Sequence, residues 1–439
     1  MAEKRYEMDM CSGPLLSKIL AFTLPLILSS MLQLLFNAAD VIVVGRYAGS
    51  TALAAVGSTG ALINLIVNLF MGLSVGVSVT VASIIGGIAA GAFGFFMAKP
   101  LLALMGSPAD VIDQAALYVR IYFIGMPASM FYNFGSAVLR AVGDTKRPLY
   151  YLSAAGVLNV LLNLLFVIRF SMGVAGVALA TSISQYLSAA LIAICLMRSE
   201  SCYRLHWDEL ALHKDKALPI IRIGLPAGLQ SSIFAISNVV IQSSINSFGS
   251  IAMAGSAAAA NIEGFVYVSM NSVAQASLSF ASQNIGARRY ERISKISRTC
   301  LLLAALFGLV LGNGVYLLHD TFLRFYSPDP AVIEAGALRL SVICTTYFLC
   351  GLMDTLACIL RAMGKSLLPM VVTIIGACGL RVLWIYTVFP LDRTFFTLFL
   401  SYPITWGVTA AVHAVCYFFT KRTMLRRAQA SAPSEASST

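Results

Sequence analysis

Five ionisable side chains stand inside long apolar runs: Asp40, Arg120, Glu263, Asp354 and Arg381. Charge at membrane depth is costly, so each is a functional residue by default. Asp40 closes the stretch LPLILSSMLQLLFNAAD, and counting back by helical steps puts Asn37, Gln33 and Ser29 or Ser30 on its face. A polar stripe on a helix otherwise built of Leu, Phe and Val faces a cavity or a partner helix, not lipid. A carboxylate there can load and release a proton, or hold Na+, as the cavity opens to either side. The competing use is a packing pair with an arginine. Asn159 and Asn163 lie one helical turn apart. They could ligate a cation, hydrogen-bond Asp40, or glue helices together. Thr181 and Gln185 form a similar pair.

The second half of the chain carries its own candidates. Asn238 stands where the first half has Asn37, but Ile241 replaces Asp40, leaving an uncharged stripe of Ser231, Asn238 and Gln242. Glu263 has Tyr267 one turn on, with Met270 and Asn271 beyond. Asp354 has Phe348, Gly351 and Cys358 around it. An aromatic ring beside a carboxylate suits an organic cation. Pairing with Arg381 or a backbone group is the alternative.

The elements that must position these residues are membrane helices. The chain has 439 residues, 59% hydrophobic and 11% charged, whereas a soluble domain carries about 25% charged residues. A helix needs about 20 residues to cross a bilayer. Twelve crossings are expected, near 15–45, 51–82, 84–105, 110–139, 147–170, 172–197, 219–247, 252–281, 298–318, 333–360, 366–390 and 395–420. They group into an N-terminal six-helix lobe (1–197), a polar cytoplasmic connection (198–218), a C-terminal six-helix lobe (219–420) and a basic, then disordered, tail (421–439). No basic domain stands apart from the apolar runs, so the net charge of +11 does not imply nucleic acid. The nine cysteines contain no CxxC pair and the four histidines are scattered, which argues against a disulfide framework or a metal site. There is no P-loop, GxSxG or HExxH. No enzyme chemistry is expected, and any work must draw on an ion gradient.

The chain repeats itself. Leu139-Arg140-Ala141-x-Gly143-x4-Pro148 reappears as Leu360-Arg361-Ala362-x-Gly364-x4-Pro369, an offset of 221. Gly49-Ser50 and Ile85-Gly86 match Gly249-Ser250 and Ile285-Gly286 at an offset of 200. Two halves with an even number of crossings lie parallel, related by an axis along the membrane normal. The growth in offset leaves the first half 21 residues shorter after Gly86. The second–third connection and the start of helix three are therefore missing. Twelve crossings with both termini inside still put most Lys and Arg in cytoplasmic loops. The Arg-Ala-x-Gly turns then sit at cytoplasmic helix ends, where arginine suits the helix dipole and anionic lipid.

Several of these features together are specific: Leu24-Pro25, the run Asn37–Gly45, Gln283-Asn284-x-Gly286-Ala287, the doubled Leu-Arg-Ala-x-Gly turn, and Gly173-Val-Ala-Gly176-x-Ala178-x-Ala180-Thr181. Over almost its whole length the chain resembles the multidrug and toxin extrusion (MATE) transporters of the bacterial NorM/DinF type. The resemblance implies an all-α integral membrane protein of twelve helices in two pseudo-symmetric lobes forming a V, with helix three shortened. It also implies export of small, cationic, amphipathic compounds in exchange for H+ or Na+, by a monomer in the inner (plasma) membrane. Besides organic cations the only expected partner is membrane lipid, and no cofactor is expected beyond the coupling ion. The family's first-helix aspartate falls on Asp40, its helix-five pair on Asn159 and Asn163, its helix-six threonine on Thr181 and its helix-four tyrosine on Tyr132. At Asn163 the family has an aspartate. Its loss weakens a two-carboxylate Na+ site and favours H+. The family's acidic residue on helix seven is absent, leaving Glu263 and Asp354 as the acids of the second lobe. Two alternatives stand beside drug export: a lipid-linked or polysaccharide flippase of the same superfamily, and an inactive truncated copy.

Overall fold

The structure is a computed structural model. It describes residues 7–48, a few positions between 52 and 67, and residues 80–104, 111–199, 204–205, 214–326 and 328–430. Every regular element among them is helical. In chain order the first half holds α1 (Leu15–Tyr47), α2 (Thr80–Leu104), α3 (Ile112–Ile124), α4 (Met126–Ala141), α5 (Lys146–Leu164) and α6 (Gly173–Arg198). The second half holds α7 (Lys214–Asn246), α8 (Ser250–Gly286), α9 (Glu291–Leu317), α10 (His319–Arg324), α11 (Pro330–Thr346), α12 (Phe348–Ala362), α13 (Leu367–Thr373), α14 (Leu380–Thr387) and α15 (Phe395–Ala430). Wide π turns extend α5 over Leu165–Arg169 and join α13 to α14 over Ile374–Gly379.

Among the described residues, seven helices are long and apolar enough to cross a membrane, and the pair α11–α12, bent by 45°, makes an eighth. Gly87–Ala103 is a shorter apolar helix within α2. The protein is thus an all-helical, multi-pass membrane protein. Most of the expected second crossing lies outside the described residues. So do 200–203 and 206–213 of the connection, and 431–439 of the tail.

By packing, the chain divides into two compact units, Met1–Met8 with Leu24–Ala235, and Asp9–Thr23 with Ile236–Thr439. The divisions fall inside α1, just before Pro25, and inside α7. The first unit centres on Val44, Leu102, Val119, Phe123, Met130 and Val177. In the second, Ala259, Ile262, Leu323, Leu340 and Cys344 form one cluster.

The internal repeat is visible in the backbone. Each half has two consecutive helices separated by a single residue, α3 and α4 at Gly125 and α11 and α12 at Tyr347. Each pair ends at the repeated glycine. Gly143 has φ +89° and Gly364 φ +76°, the left-handed conformation that glycine adopts without penalty. The amide of Asp144 donates to Leu139 O at 2.8 Å and that of Lys365 to Leu360 O at 3.1 Å. Both turns are therefore helix C-caps that satisfy end carbonyls, the structural use expected of them.

Three boundaries differ from the sequence reading. A break between helices was expected near residue 83, but α2 runs unbroken from Thr80 through Gly86-Gly87 to Leu104. The second half turns here, where Arg288 takes φ +56° and the Arg289 amide donates to Asn284 O. The first half lacks those polar loop residues, and its small apolar ones keep the helical hydrogen bonds that hydrocarbon demands. At the C-terminus, α15 continues past residue 420 to Ala430 because Lys, Arg, Leu and Ala are good helix formers. The single crossing expected at 333–360 is the bent pair α11–α12.

Gly364→Ala should cost about 1–2 kcal/mol through backbone conformation alone, since an added Cβ there meets nothing within 4 Å. Gly143→Ala should cost more, because its Cβ would lie 2.7 Å from the Met8 backbone. Melting of the two variants in detergent checks the order.

Candidate functional site

Asp40 lies near the end of α1 and is buried, while its neighbours Val41 and Ile42 are exposed. A buried carboxylate needs hydrogen-bond donors, and they come from α5 and α6. Asn163 Nδ2 donates to Asp40 Oδ1 and also to Asn159 Oδ1 at 3.3 Å. Asn159 Nδ2 donates to Thr181 Oγ1 at 3.3 Å. The Thr181 hydroxyl lies 3.2 Å from Asp40 Oδ2 and 3.0 Å from Val177 O. Four side chains from three helices thus form a closed ring. No Lys or Arg nitrogen among the described residues lies within 4.0 Å of Asp40, so the charge of its ionised form is met by neutral dipoles alone.

The ring depends on a close helix approach. Gly156 sits one turn before Asn159 on α5, and a Cβ built there would lie 1.8–2.3 Å from the Phe36 ring. Phe36 is one turn before Asp40. The bare glycine lets α5 lie against Phe36, which brings both asparagines within reach of the carboxylate.

Thr181 gives the ring a particular property. One hydroxyl proton has two available acceptors, Asp40 Oδ2 and Val177 O. Ionised Asp40 accepts from Asn163 and Thr181. Protonated Asp40 can donate to Thr181 Oγ1 while the threonine turns its own hydrogen to Val177 O. Both protonation states are fully bonded in one geometry. Asn163 Oδ1 is the acceptor left over, buried without a partner among the described residues. Tyr118 and Tyr122 of α3 stand within electrostatic reach of Asp40 and stack with centroids 6.2 Å apart.

The structure brings Asp40, Asn159, Asn163 and Thr181 together but leaves two members of the stripe outside. Asn37 and Gln33 are exposed on α1 and make no bond to the ring. Tyr132 is also elsewhere; its hydroxyl donates to Pro148 O at 3.0 Å, strapping α4 to the start of α5.

In the second unit the two acids differ. Glu263 is held in a two-pronged pair by Arg339, with Nε–Oε1 at 2.8 Å and Nη2–Oε2 at 2.9 Å. Arg339 Nη1 also donates to Ser256 Oγ at 2.6 Å, and the guanidinium lies over the Phe399 ring. Glu263 therefore offers no uncommitted charge. Its arginine escaped the sequence reading, although Arg339 stands as plainly as Arg381 inside an apolar run. Asp354, half-buried on α12, has no ion pair among the described residues and lies within electrostatic reach of Tyr267 and Cys350. Beside it runs an aromatic row that spacing could not reveal. Tyr267 stacks on Tyr347 (6.4 Å), Tyr347 on Trp406 (5.2 Å), and Tyr402 meets Trp406 edge-on (5.4 Å). Arg381 caps the row, 4.1 Å from the Tyr402 ring centroid, and donates to Asn238 Oδ1 at 3.4 Å. Tyr347 and Trp406 are buried within the row, and Tyr267 alone of the four is exposed.

Known proteins resemble this chain throughout. The MatE family profile matches residues 25–87, 80–165 and 226–387. The probable multidrug resistance protein YpnP of Bacillus subtilis is 29% identical over 85% of this chain and 88% of its own. The probable multidrug resistance protein NorM of Thermotoga maritima is 23% identical over 61% of this chain and 58% of its own. An outward-facing structure of a multidrug resistance MATE family transporter superposes with a TM-score of 0.85 at 22% identity, covering 95% of this chain and 98% of that one.

The two buried acids should respond differently to amidation. Glu263→Gln leaves Arg339 without its counter-charge and should destabilise the protein by about 3–5 kcal/mol. Asp40→Asn breaks no ion pair and should fold and melt close to wild type. Size-exclusion profiles and melting curves of both variants in the same detergent decide this.

Proposed function

The chain belongs to the MatE family of membrane transporters, and from that membership we propose that it exports cationic, amphipathic compounds across the plasma membrane in exchange for protons, with Asp40 carrying the proton. It is a multidrug transporter and not an enzyme. The observation that supports the proton assignment is the Thr181 hydroxyl, which lies 3.2 Å from Asp40 Oδ2 and 3.0 Å from Val177 O and can partner Asp40 with its proton on or off.

The exchange follows from charge. With its proton on, Asp40 is neutral and the ring closes α1 against α5 and α6. With its proton off, the ring holds one negative charge that a cationic compound can neutralise. Proton and cation compete for the same charge, so loading one favours release of the other. Alternating access then delivers them to opposite sides of the membrane. The amide nitrogen of Asn163, not its oxygen, faces the carboxylate. Asn163 in place of a second acid leaves the ring with a single carboxylate, which supports H+ over Na+ as the coupling ion. Asp354 and the exposed Tyr267 supply a second place for an aromatic cation. The expected excess of Lys and Arg in cytoplasmic loops supports a cytoplasmic position for both termini.

Cells expressing the chain should expel a cationic dye. Asp40→Asn at matched membrane level should abolish export. Thr181→Val, which removes the reversible partner, should lower it by about tenfold. Undiminished export by Asp40→Asn would overturn the proposal.

A further inference from the structure

On the outer face of the first unit, α2 crosses α3 and the start of α4 at very short range. A Cβ at Gly91 would lie 2.9 Å from Phe123 O, and one at Gly94 2.4 Å from the Phe123 ring. The glycines let the backbones meet, and the side chains flanking them rise on either side of a shallow groove of about 250 Å³. Its walls are apolar: Ile88, Ala92, Phe95, Phe96, Ile124 and Pro127. Ile88, Phe95, Phe96 and Ile124 are exposed.

The groove becomes basic at one end. Arg120 of α3 lies over the Phe95 ring, 5.7 Å from its centroid. Further along, Lys99 pairs with Asp113 at 2.7 Å, both side chains being exposed. That pair cancels its own charge. Arg120 has no carboxylate within 4.0 Å among the described residues, and its Nε is buried without an acceptor there. Its long side chain stands two turns inside α3, within electrostatic reach of Asp113, in the manner of an arginine reaching from hydrocarbon towards the surface.

We propose that this groove binds one anionic phospholipid, its acyl chain along Ile88, Ala92 and Phe96 and its phosphate on Arg120. The occupant needs both parts. A soluble anion gains nothing from the apolar walls, and a zwitterionic lipid brings an ammonium group to an already basic end. The site is separate from the Asp40 ring and stands whether or not the transport proposal holds.

The test is native mass spectrometry of the full chain in detergent, titrated with phosphatidylglycerol or with phosphatidylcholine of the same acyl chains. Wild type should retain phosphatidylglycerol in preference. Arg120→Ala should weaken that binding about fivefold, and Arg120→Lys should keep most of it. Ala92→Phe fills the groove without touching the charge and should also lower retention, which keeps the test decisive if Arg120→Ala does not fold. Equal retention of the two lipids by wild type would overturn the proposal, as would unchanged binding by Arg120→Ala and Ala92→Phe. A dimer that carries no lipid and is broken by Ala92→Phe would assign the groove to a second copy of the chain instead.

Discussion

A carboxylate enters hydrocarbon only if donors are waiting for it. The first unit is built around that constraint at Asp40. Two asparagines one turn apart on α5 and a threonine on α6 must all point at one oxygen pair on α1. That requires α5 to pack without a side chain at Gly156, where Phe36 occupies the space. Donors fixed in place by helix packing make the acid affordable, and because all of them are neutral the charge stays available for exchange.

The second unit solves the same problem in the opposite way at Glu263. There an arginine supplies full counter-charge, two parallel hydrogen bonds and a third to Ser256. Such a pair locks α8 to α11 and leaves nothing to exchange. Asp354, without an ion pair among the described residues, is closer in kind to Asp40, but it lies among rings and thiols with Arg361 within electrostatic reach. The two halves share a backbone plan, seen in the helix pairs split at Gly125 and Tyr347 and in the glycine caps at Gly143 and Gly364, while their buried acids have different surroundings.

Much of this was legible before any coordinates. A lone carboxylate in an apolar run, two amides at helical spacing and a repeated glycine turn are local signals, and the structure places Asp40, Asn159, Asn163 and Thr181 in one ring. What escaped was tertiary. Asn37 and Gln33 share a stripe with Asp40, yet the part of that face covered by α5 carries Phe36 and Asp40, so the other two remain exposed. The Glu263–Arg339 pair joins residues 76 positions apart, a distance at which spacing carries no information. The continuous α2 was missed because the placement of Lys and Arg favours twelve crossings, although the repeat already lacks a second–third connection there. The aromatic row draws on α8, α15 and the α11–α12 break, and no periodicity in any one helix announces it.

The central claim is that a proton on Asp40 is exchanged for a cationic substrate. Its most direct test is substrate flux in proteoliposomes under an imposed pH gradient, in buffer free of Na+. The account predicts uphill movement of a cationic dye driven by the pH gradient alone, and none with Asp40→Asn in the same membranes. Flux that needs Na+, or that survives in Asp40→Asn, would contradict it.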